Sequence, residues 1–164
     1  MGFKKCIPTS KQGLIGGMMW GSASDNERIY VSNNNFFHKP LSPWVNQSPA
    51  PSGGMAAALD PFDGRILWAF GNPEPQLGDP SQNALSQAPM TVANGVVFYP
   101  SMDPTGKLFY LDAKTGRLLG SYAMGATNAC GPSIVDGLLL SGSGYANFGL
   151  GSVGQKFTAL AIPP

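Results

Sequence analysis

The stretch that decides the fold is residues 55–68, MAAALDPFDGRILW, which returns in altered form at residues 107–120 as KLFYLDAKTGRLLG. In both stretches an apolar run leads into an aspartate, and a glycine follows that aspartate by four positions. Leu111 follows Leu59 by 52 positions, and Gly116 follows Gly64 by the same 52. A third, incomplete copy, KFTALA, occupies residues 156–161. Recurrence at this period predicts a repeat protein.

A second pattern precedes each of these stretches and predicts a tight hairpin. It reads TVANGVVF at 91–98 and SIVDGLLL at 133–140, and residues 23–31 are a longer version of it. The pairs Asn-Gly and Asp-Gly favour two-residue type I′ turns, in which both central residues take a positive φ. The short apolar runs on either side are typical of strands. Each unit therefore reads as strand, hairpin, strand, longer loop, strand, turn, strand.

The aspartates of the repeated stretches, Asp60 and Asp112, are expected to build the last turn of each unit. An aspartate side chain accepts backbone N–H groups across such a turn, and a glycine four positions later takes the left-handed conformation. This pattern indicates that the two carboxylates have a structural role rather than a catalytic one.

The repeats divide one domain, residues 1–164, into units at about 18–74, 87–125 and 129–162, of which the last is incomplete. The first unit carries a long insertion at 33–54, and a loop at 71–86 joins it to the second. Four-stranded sheets recurring at this spacing are typical of propeller blades. We predict an all-β fold, a partial β-propeller of about three four-stranded antiparallel blades, with a spiral or a sandwich as the alternative.

Composition agrees with a loop-dense all-β chain. Glycine and proline are abundant, at 22 and 15 of 164 residues, while 43% of residues are hydrophobic and 12% are charged. The net charge of +1 provides no basic face for nucleic acid. No apolar stretch reaches the roughly 18 residues that a membrane span requires. Nucleic-acid binding and a membrane span are therefore not expected.

The repeated stretches also resemble a known family. The residues ALD, Gly64 and Trp68 of the first copy, and LDAKTG of the second, resemble the Ala-x-Asp-x-x-Thr-Gly-x-x-x-Trp repeat of quinoprotein dehydrogenases. The combination of GGMMWG at 16–21, APMTVANG at 88–95 and SGY at 143–145 is most similar to the polyvinyl-alcohol-dehydrogenase-like branch. The resemblance implies an eight-bladed propeller that oxidises alcohols with pyrroloquinoline quinone (PQQ) and Ca²⁺, and a repeat tryptophan that packs onto the neighbouring blade.

Three departures from the family pattern bear on activity. Position 120 is glycine where the repeat has tryptophan, so we expect one blade interlock to be weakened. The adjacent cysteines that stack on the quinone in some members are absent, and no Cys-x-x-Cys-His is present for a c-type haem. About three blades cannot close a ring. The chain is therefore expected to be the C-terminal part or a short homologue of such an enzyme, partnered by the remaining blades or by a second copy.

Candidate binding residues follow from where propellers bind ligands, at one end of the axis on loops that lead into the innermost strands. By the repeat register these positions include Trp20, Gln87 and Cys130. Trp20 is a candidate floor for a planar quinone, or else a residue packed between blades. Asn128 and Asp103 are candidate oxygen ligands for Ca²⁺, or else surface turn residues.

The remaining chemistry-bearing residues give weaker signals. His38 is the sole histidine, and no second histidine or cysteine lies near it, so we expect a solvated loop residue and no zinc site. Cys6 and Cys130 either pair or remain buried free thiols. Residues 46–48 fit a glycosylation sequon, but Pro49 follows it, so it is only a slight indication of an extracytoplasmic protein.

Two functions remain open at this point. One is a quinone-dependent alcohol dehydrogenase, or a part of one, with a small alcohol as substrate. The other is a non-catalytic propeller-like protein that binds a partner through its loops. Family ancestry favours the first, while the missing blades and the missing cysteine pair favour the second.

Overall fold

The computed structural model describes residues 17–41, 45, 50–146 and 149–161. These residues form strands and no α-helix, and none of their segments is a helix long and apolar enough to cross a membrane. The strands are β1 Ala23–Ser24, β2 Ile29–Asn33, β3 Met55–Leu59, β4 Ile66–Gly71, β5 Pro75–Gln76, β6 Asp79–Asn83, β7 Thr91–Ala93, β8 Val96–Pro100, β9 Lys107–Asp112, β10 Leu118–Ala123, β11 Ser133–Val135, β12 Leu138–Ser143 and β13 Lys156–Ala161.

The strands form three antiparallel meanders, which we call blades. Blade 1 has the order β1-β2-β3-β4, blade 2 has β7-β8-β9-β10, and blade 3 has β11-β12-β13 in the described residues. The predicted partial propeller of about three blades is confirmed. One connection differs from the prediction, because the segment at 71–86 is a small two-stranded β5–β6 hairpin rather than a plain loop.

The hairpin turns of blades 2 and 3 have the predicted conformation. Asn94 and Gly95 have φ values of 49° and 76°, and Asp136 and Gly137 have values of 46° and 77°. Positive φ at both central residues defines a type I′ turn, whose twist matches that of the flanking strands. Local chemistry alone therefore sets the register of these strand pairs.

The aspartate turns also form as predicted. In blade 2 the Asp112 carboxylate accepts the Thr115 backbone N–H at 2.7 Å and the Thr115 hydroxyl at 2.7 Å. The Gly116 N–H donates to the Asp112 carbonyl at 2.8 Å, and Gly116 has a φ of 71°. In blade 1, Asp60 accepts the Phe62 N–H at 2.9 Å.

Trp68 of β4 joins blade 1 to blade 2. Its indole Nε1 donates to the Ala113 carbonyl at 3.0 Å, and the Tyr30 hydroxyl, which donates to the Asp25 carboxylate at 2.6 Å, lies 3.2 Å from the same carbonyl oxygen. The indole packs over Gly116 so closely that a methyl group there would lie 2.6 Å from two ring carbons. This is the tryptophan contact that the family resemblance implies, and it links the second copy of the repeat to the first.

Both faces of blade 1 are covered. The face toward blade 2 packs in a shared core that includes Tyr30, Trp68, Tyr99 and Phe109. The opposite face is covered by the chain between β2 and β3, whose Leu41 and Val45 pack with Met55 and Ala57.

Blade 3 differs, because one of its faces is open. Its inner face contributes Leu139 and Leu160 to the contact with blade 2. On the opposite face, Phe157 is 75% exposed and Val135 is 51% exposed. The outer face of blade 3 is thus an apolar sheet surface that no other described residue covers.

Candidate functional site

The loops that lead into the first strand of each blade converge at one end of the stack, which we call the loop end. Strand β1 lies against β7, which puts the first strands side by side. The Met90 N–H donates to the Gly21 carbonyl at 3.2 Å, and the Thr91 hydroxyl donates to the Pro132 carbonyl at 2.5 Å. The three candidate loops are therefore neighbours, as the repeat register requires.

Trp20 lies at this loop end with its side chain largely in solvent. It is 53% exposed, and Met18 and Met19 before it are also exposed. Of the two tryptophans that the structure describes, Trp68 is the one that packs between blades. Trp20 is thus free to offer a ring face to a ligand.

Gln87 lies on the loop into blade 2 and is buried, at 4% exposure. Its Nε2 is shielded from solvent and has no hydrogen-bond partner among the described residues. A buried amide donor without a partner costs about 1–3 kcal/mol, so such a group is a place to look for a ligand.

Asn128 lies on the loop into blade 3 and is fully buried rather than at the surface. Its Oδ1 accepts the Cys130 N–H at 3.1 Å, which builds the turn, while its Nδ2 has no partner in the described part of the chain. Asp103 is buried too, but its carboxylate is occupied by the Thr105 and Lys107 N–H groups, both at 2.8 Å. Both residues therefore serve turns, and Asn128 keeps a free donor.

The surroundings of Cys130 and His38 differ from those expected from the sequence. Cys130 is exposed rather than buried, lies at the loop end, and forms no disulfide with any described residue. His38 is half-buried rather than solvated, and burial lowers the pKa of its imidazole. Cys6 and the sequon at 46–48 lie outside the described residues, so the alternatives for Cys6 stay predictions.

A buried polar layer between blades 1 and 2 was not anticipated from the sequence. Asn72 Nδ2 donates to the Ser101 hydroxyl at 2.8 Å, and the Ser86 and Tyr99 hydroxyls share a short hydrogen bond. Burial raises the pKa of the Tyr99 phenol, so Tyr99 stays protonated. The sequence signal that could have indicated this layer is the occurrence of residues with polar side chains, Ser86, Gln87, Tyr99 and Ser101, in or near the strands of blade 2.

The structure brings together no group of three histidine, cysteine, aspartate or glutamate side chains able to hold a metal ion among the residues it describes.

Comparison with known proteins identifies the class of fold. No protein-family model matches the sequence, and no curated protein matches it. Among solved structures, a europium-containing methanol dehydrogenase is similar over 96% of this chain, with a TM-score of 0.58 and 19% identity. The quinohemoprotein alcohol dehydrogenase from Comamonas testosteroni is similar over 88%, with a TM-score of 0.57 and 19% identity. BamB from Moraxella catarrhalis is similar over 86%, with a TM-score of 0.53 and 17% identity.

These similarities show that the chain has the propeller-blade fold of the quinoprotein dehydrogenases and of BamB. The chain spans 25%, 20% and 32% of those three structures, respectively. The match is therefore to a part of a propeller, and at these identities it concerns the fold rather than the activity.

The residues at the loop end fit a quinone in part. The unpartnered amide nitrogens of Gln87 and Asn128 are donors of the kind that quinone carbonyl and carboxylate oxygens accept. The exposed indole of Trp20 offers a flat apolar surface of suitable size.

Proposed function

We propose that this chain is a segment of a quinone-dependent alcohol-dehydrogenase-like propeller, with blades at 18–74, 87–125 and 129–162. In this proposal it oxidises alcohols only after further blades complete the ring. The observation that carries the proposal is the Trp68 contact, in which the indole hydrogen-bonds to the Ala113 carbonyl and packs over Gly116 of the next blade. That contact accompanies the repeat motif that resembles the quinoprotein dehydrogenases.

In this proposal the chain supplies one wall of the cofactor site. Gln87 and Asn128 donate amide hydrogen bonds to the cofactor's oxygens, and Trp20 stacks on its ring, beside the Cys130 thiol. When bound, PQQ with its Ca²⁺ supplies the acceptor for the alcohol's two electrons. The role of the chain's own residues is to bind and orient that acceptor and to shield one side of it from water.

The test is a titration of the purified chain with PQQ and Ca²⁺, followed by tryptophan fluorescence. We expect saturable quenching that Trp20→Phe reduces, because Trp20 would contact the quinone. Gln87→Met keeps the side chain's length but removes the amide donor, and it should weaken binding about tenfold, as loss of a hydrogen bond to a charged group does. Gln82→Met, on the β5–β6 hairpin, is the matched control and should leave binding unchanged.

Activity provides a separate readout of the same preparation. Dye-linked alcohol oxidation should not occur with the chain by itself, because three blades leave the ring open. Turnover by the isolated chain would contradict the need for further blades. Failure to bind PQQ would overturn the cofactor-wall role itself.

A second candidate, a non-catalytic propeller-like binding protein, is favoured by the outer face of blade 3. Phe157, Val135 and Leu138 of that face are 75%, 51% and 40% exposed, an arrangement suited to docking a protein partner. If this is the function, substitution of Phe157 abolishes partner binding, while Gln87→Met has no effect.

A further inference from the structure

The contact between blades 2 and 3 contains an apolar cavity of about 380 Å³ that is partly open to solvent. Blade 2 contributes Phe98 and Tyr110 to its wall, and blade 3 contributes Ile134, Leu139 and Leu160. The cavity continues the apolar contact between the two blades, which the same side chains build. Its volume is within the range of small-molecule sites.

The internal repeat indicates what this space is shaped to hold. In blade 1, Tyr30, Ala58 and Trp68 form one row of paired positions across β2, β3 and β4. In blade 2 the corresponding row across β8, β9 and β10 is Phe98, Tyr110 and Gly120.

Both rows face the next blade in the stack, but they carry different aromatic side chains. In blade 1, the Trp68 indole and the Tyr30 hydroxyl fill the contact with blade 2: the indole donates to the Ala113 carbonyl, and the hydroxyl lies 3.2 Å from the same oxygen. In blade 2, the tryptophan position is Gly120 and the tyrosine position is Phe98, so both donors and the bicyclic ring are missing. The Tyr110 ring lies against Gly120, where a methyl group would meet it at 3.5 Å. Tyr110 thus replaces part of the missing ring, and the cavity is the space that the described residues leave beside it.

We infer that this cavity binds an uncharged aromatic molecule of one or two fused rings, with indole as the model ligand. An apolar cavity of only about 150 Å³ takes up benzene in a well-studied case, so this larger space is ample for a bicyclic ring. Asn94 and Tyr110 are the residues with polar side chains in the described lining, which suits a ligand with few hydrogen-bonding atoms. No lysine or arginine is among the described residues that line the cavity, which disfavours a charged ligand.

The probe is indole, added to the purified chain and followed by calorimetry and by ¹³C-methyl NMR. We expect one site per chain with a dissociation constant below about 1 mM. The Leu139 and Leu160 methyl resonances should shift on binding, while the Leu85 methyls, outside the cavity lining, should not. Indole-3-acetate, which adds a carboxylate, should bind at least about tenfold more weakly, because burying an unpaired charge is unfavourable.

Two variants, one single and one double, should block the site. Ala93→Leu places three more carbons in the lining, and Tyr110→Ala combined with Gly120→Trp rebuilds the blade 1 row with a tethered indole. Each should weaken indole binding at least about tenfold, since the space that the ligand needs is filled. Their matched controls are Ala123→Leu and Ser121→Trp, at exposed β10 positions outside the lining, which should bind indole like the unchanged chain.

Absence of saturable indole binding by the unchanged chain overturns the inference. So does binding that survives in whichever blocking variant retains the circular dichroism spectrum of the unchanged chain. These outcomes are independent of PQQ binding, because the cavity lies at the β7–β8 and β11–β12 hairpin turns, opposite the loop end.

Discussion

The indole nitrogen of Trp68 and the carbonyl oxygen of Ala113 lie 3.0 Å apart, which ties the last strand of blade 1 to the last turn of blade 2. They are 45 positions apart in the chain, and their contact brings the repeat motif of one blade against the same motif in the next. The contact is buried on both sides, so it combines a hydrogen bond with the packing of a large ring.

Trp68→Ala should therefore lower the free energy of unfolding by about 3–5 kcal/mol, because a buried ring is removed and a cavity remains. Trp68→Phe keeps most of the packing but loses the N–H donor, and it should cost less than Trp68→Ala. Urea denaturation followed by circular dichroism measures both. Trp20→Ala is the control and should change stability by no more than about 0.5 kcal/mol, since Trp20 is exposed. Equal effects at the two tryptophans would contradict the interlock.

Gly116→Ala tests the close approach of the indole to the turn. The new methyl group would lie 2.6 Å from the Trp68 ring, and the φ of 71° is unfavourable for alanine. Gly78→Ala is a matched control, because Gly78 has a φ of 84° but no atom within 4 Å of the added methyl. Both variants carry the conformational cost of about 1–2 kcal/mol, and the clash should cost Gly116→Ala about 1–3 kcal/mol more. Thermal unfolding of the two variants gives the comparison. Equal losses of stability would show that the Trp68 ring can move away from the added methyl group at no cost.

Asp112 should contribute to acid sensitivity. Hydrogen bonds from the Thr115 hydroxyl and N–H lower the pKa of its carboxyl below the usual 3.8. A lowered pKa contributes stability that is present above the unfolded-state pKa and is lost as the pH falls through the folded-state pKa. Asp112→Asn should therefore flatten the decline of unfolding free energy below pH of about 4.

Thr115→Val provides the companion to that experiment, because it removes one donor and leaves the carboxylate. The decline of its unfolding free energy with falling pH should be less steep than that of the unchanged chain and steeper than that of Asp112→Asn. Asp25, Asp60 and Asp79 also have lowered pKa values, so some acid sensitivity should persist in both variants. If Asp112→Asn left the pH dependence of the unfolding free energy unaltered, the proposed contribution of Asp112 to acid sensitivity would be wrong.

The open face of blade 3 should drive self-association of the isolated chain. Blade 1 cannot receive that face without displacing Leu41 and Val45, which already cover it. We therefore expect two copies to meet through blade 3 of each, as an isologous dimer. Light scattering should show a mass that rises with concentration, and Phe157→Lys should shift the population toward monomer. Phe62→Lys, at a position 92% exposed on the Asp60 turn, should not. A monomer at all concentrations would contradict this expectation.

Local sequence chemistry predicted much of the fold. The pairs Asn94-Gly95 and Asp136-Gly137 tolerate the positive φ of a type I′ turn, so they set hairpin position and register without help from distant residues. The candidate loops were also located from the repeat register, because equivalent positions in a repeat occupy equivalent places. The burial of Gln87 and Asn128 was not predictable, since it depends on which side chains of other blades cover them.

By itself, then, the sequence determined the strands, the turns and the blade repeat, because these depend on side-chain alternation and backbone conformation within a few residues. The tertiary structure alone decided which of the two described tryptophans is buried, what covers blade 1, and where blade 2 leaves a cavity. Each of these depends on how sheets stack, and thus on volumes contributed by residues far apart in the chain. Of these two tryptophans, Trp20 is exposed and Trp68 is buried, because only Trp68 faces a neighbouring blade whose glycine leaves room for its ring.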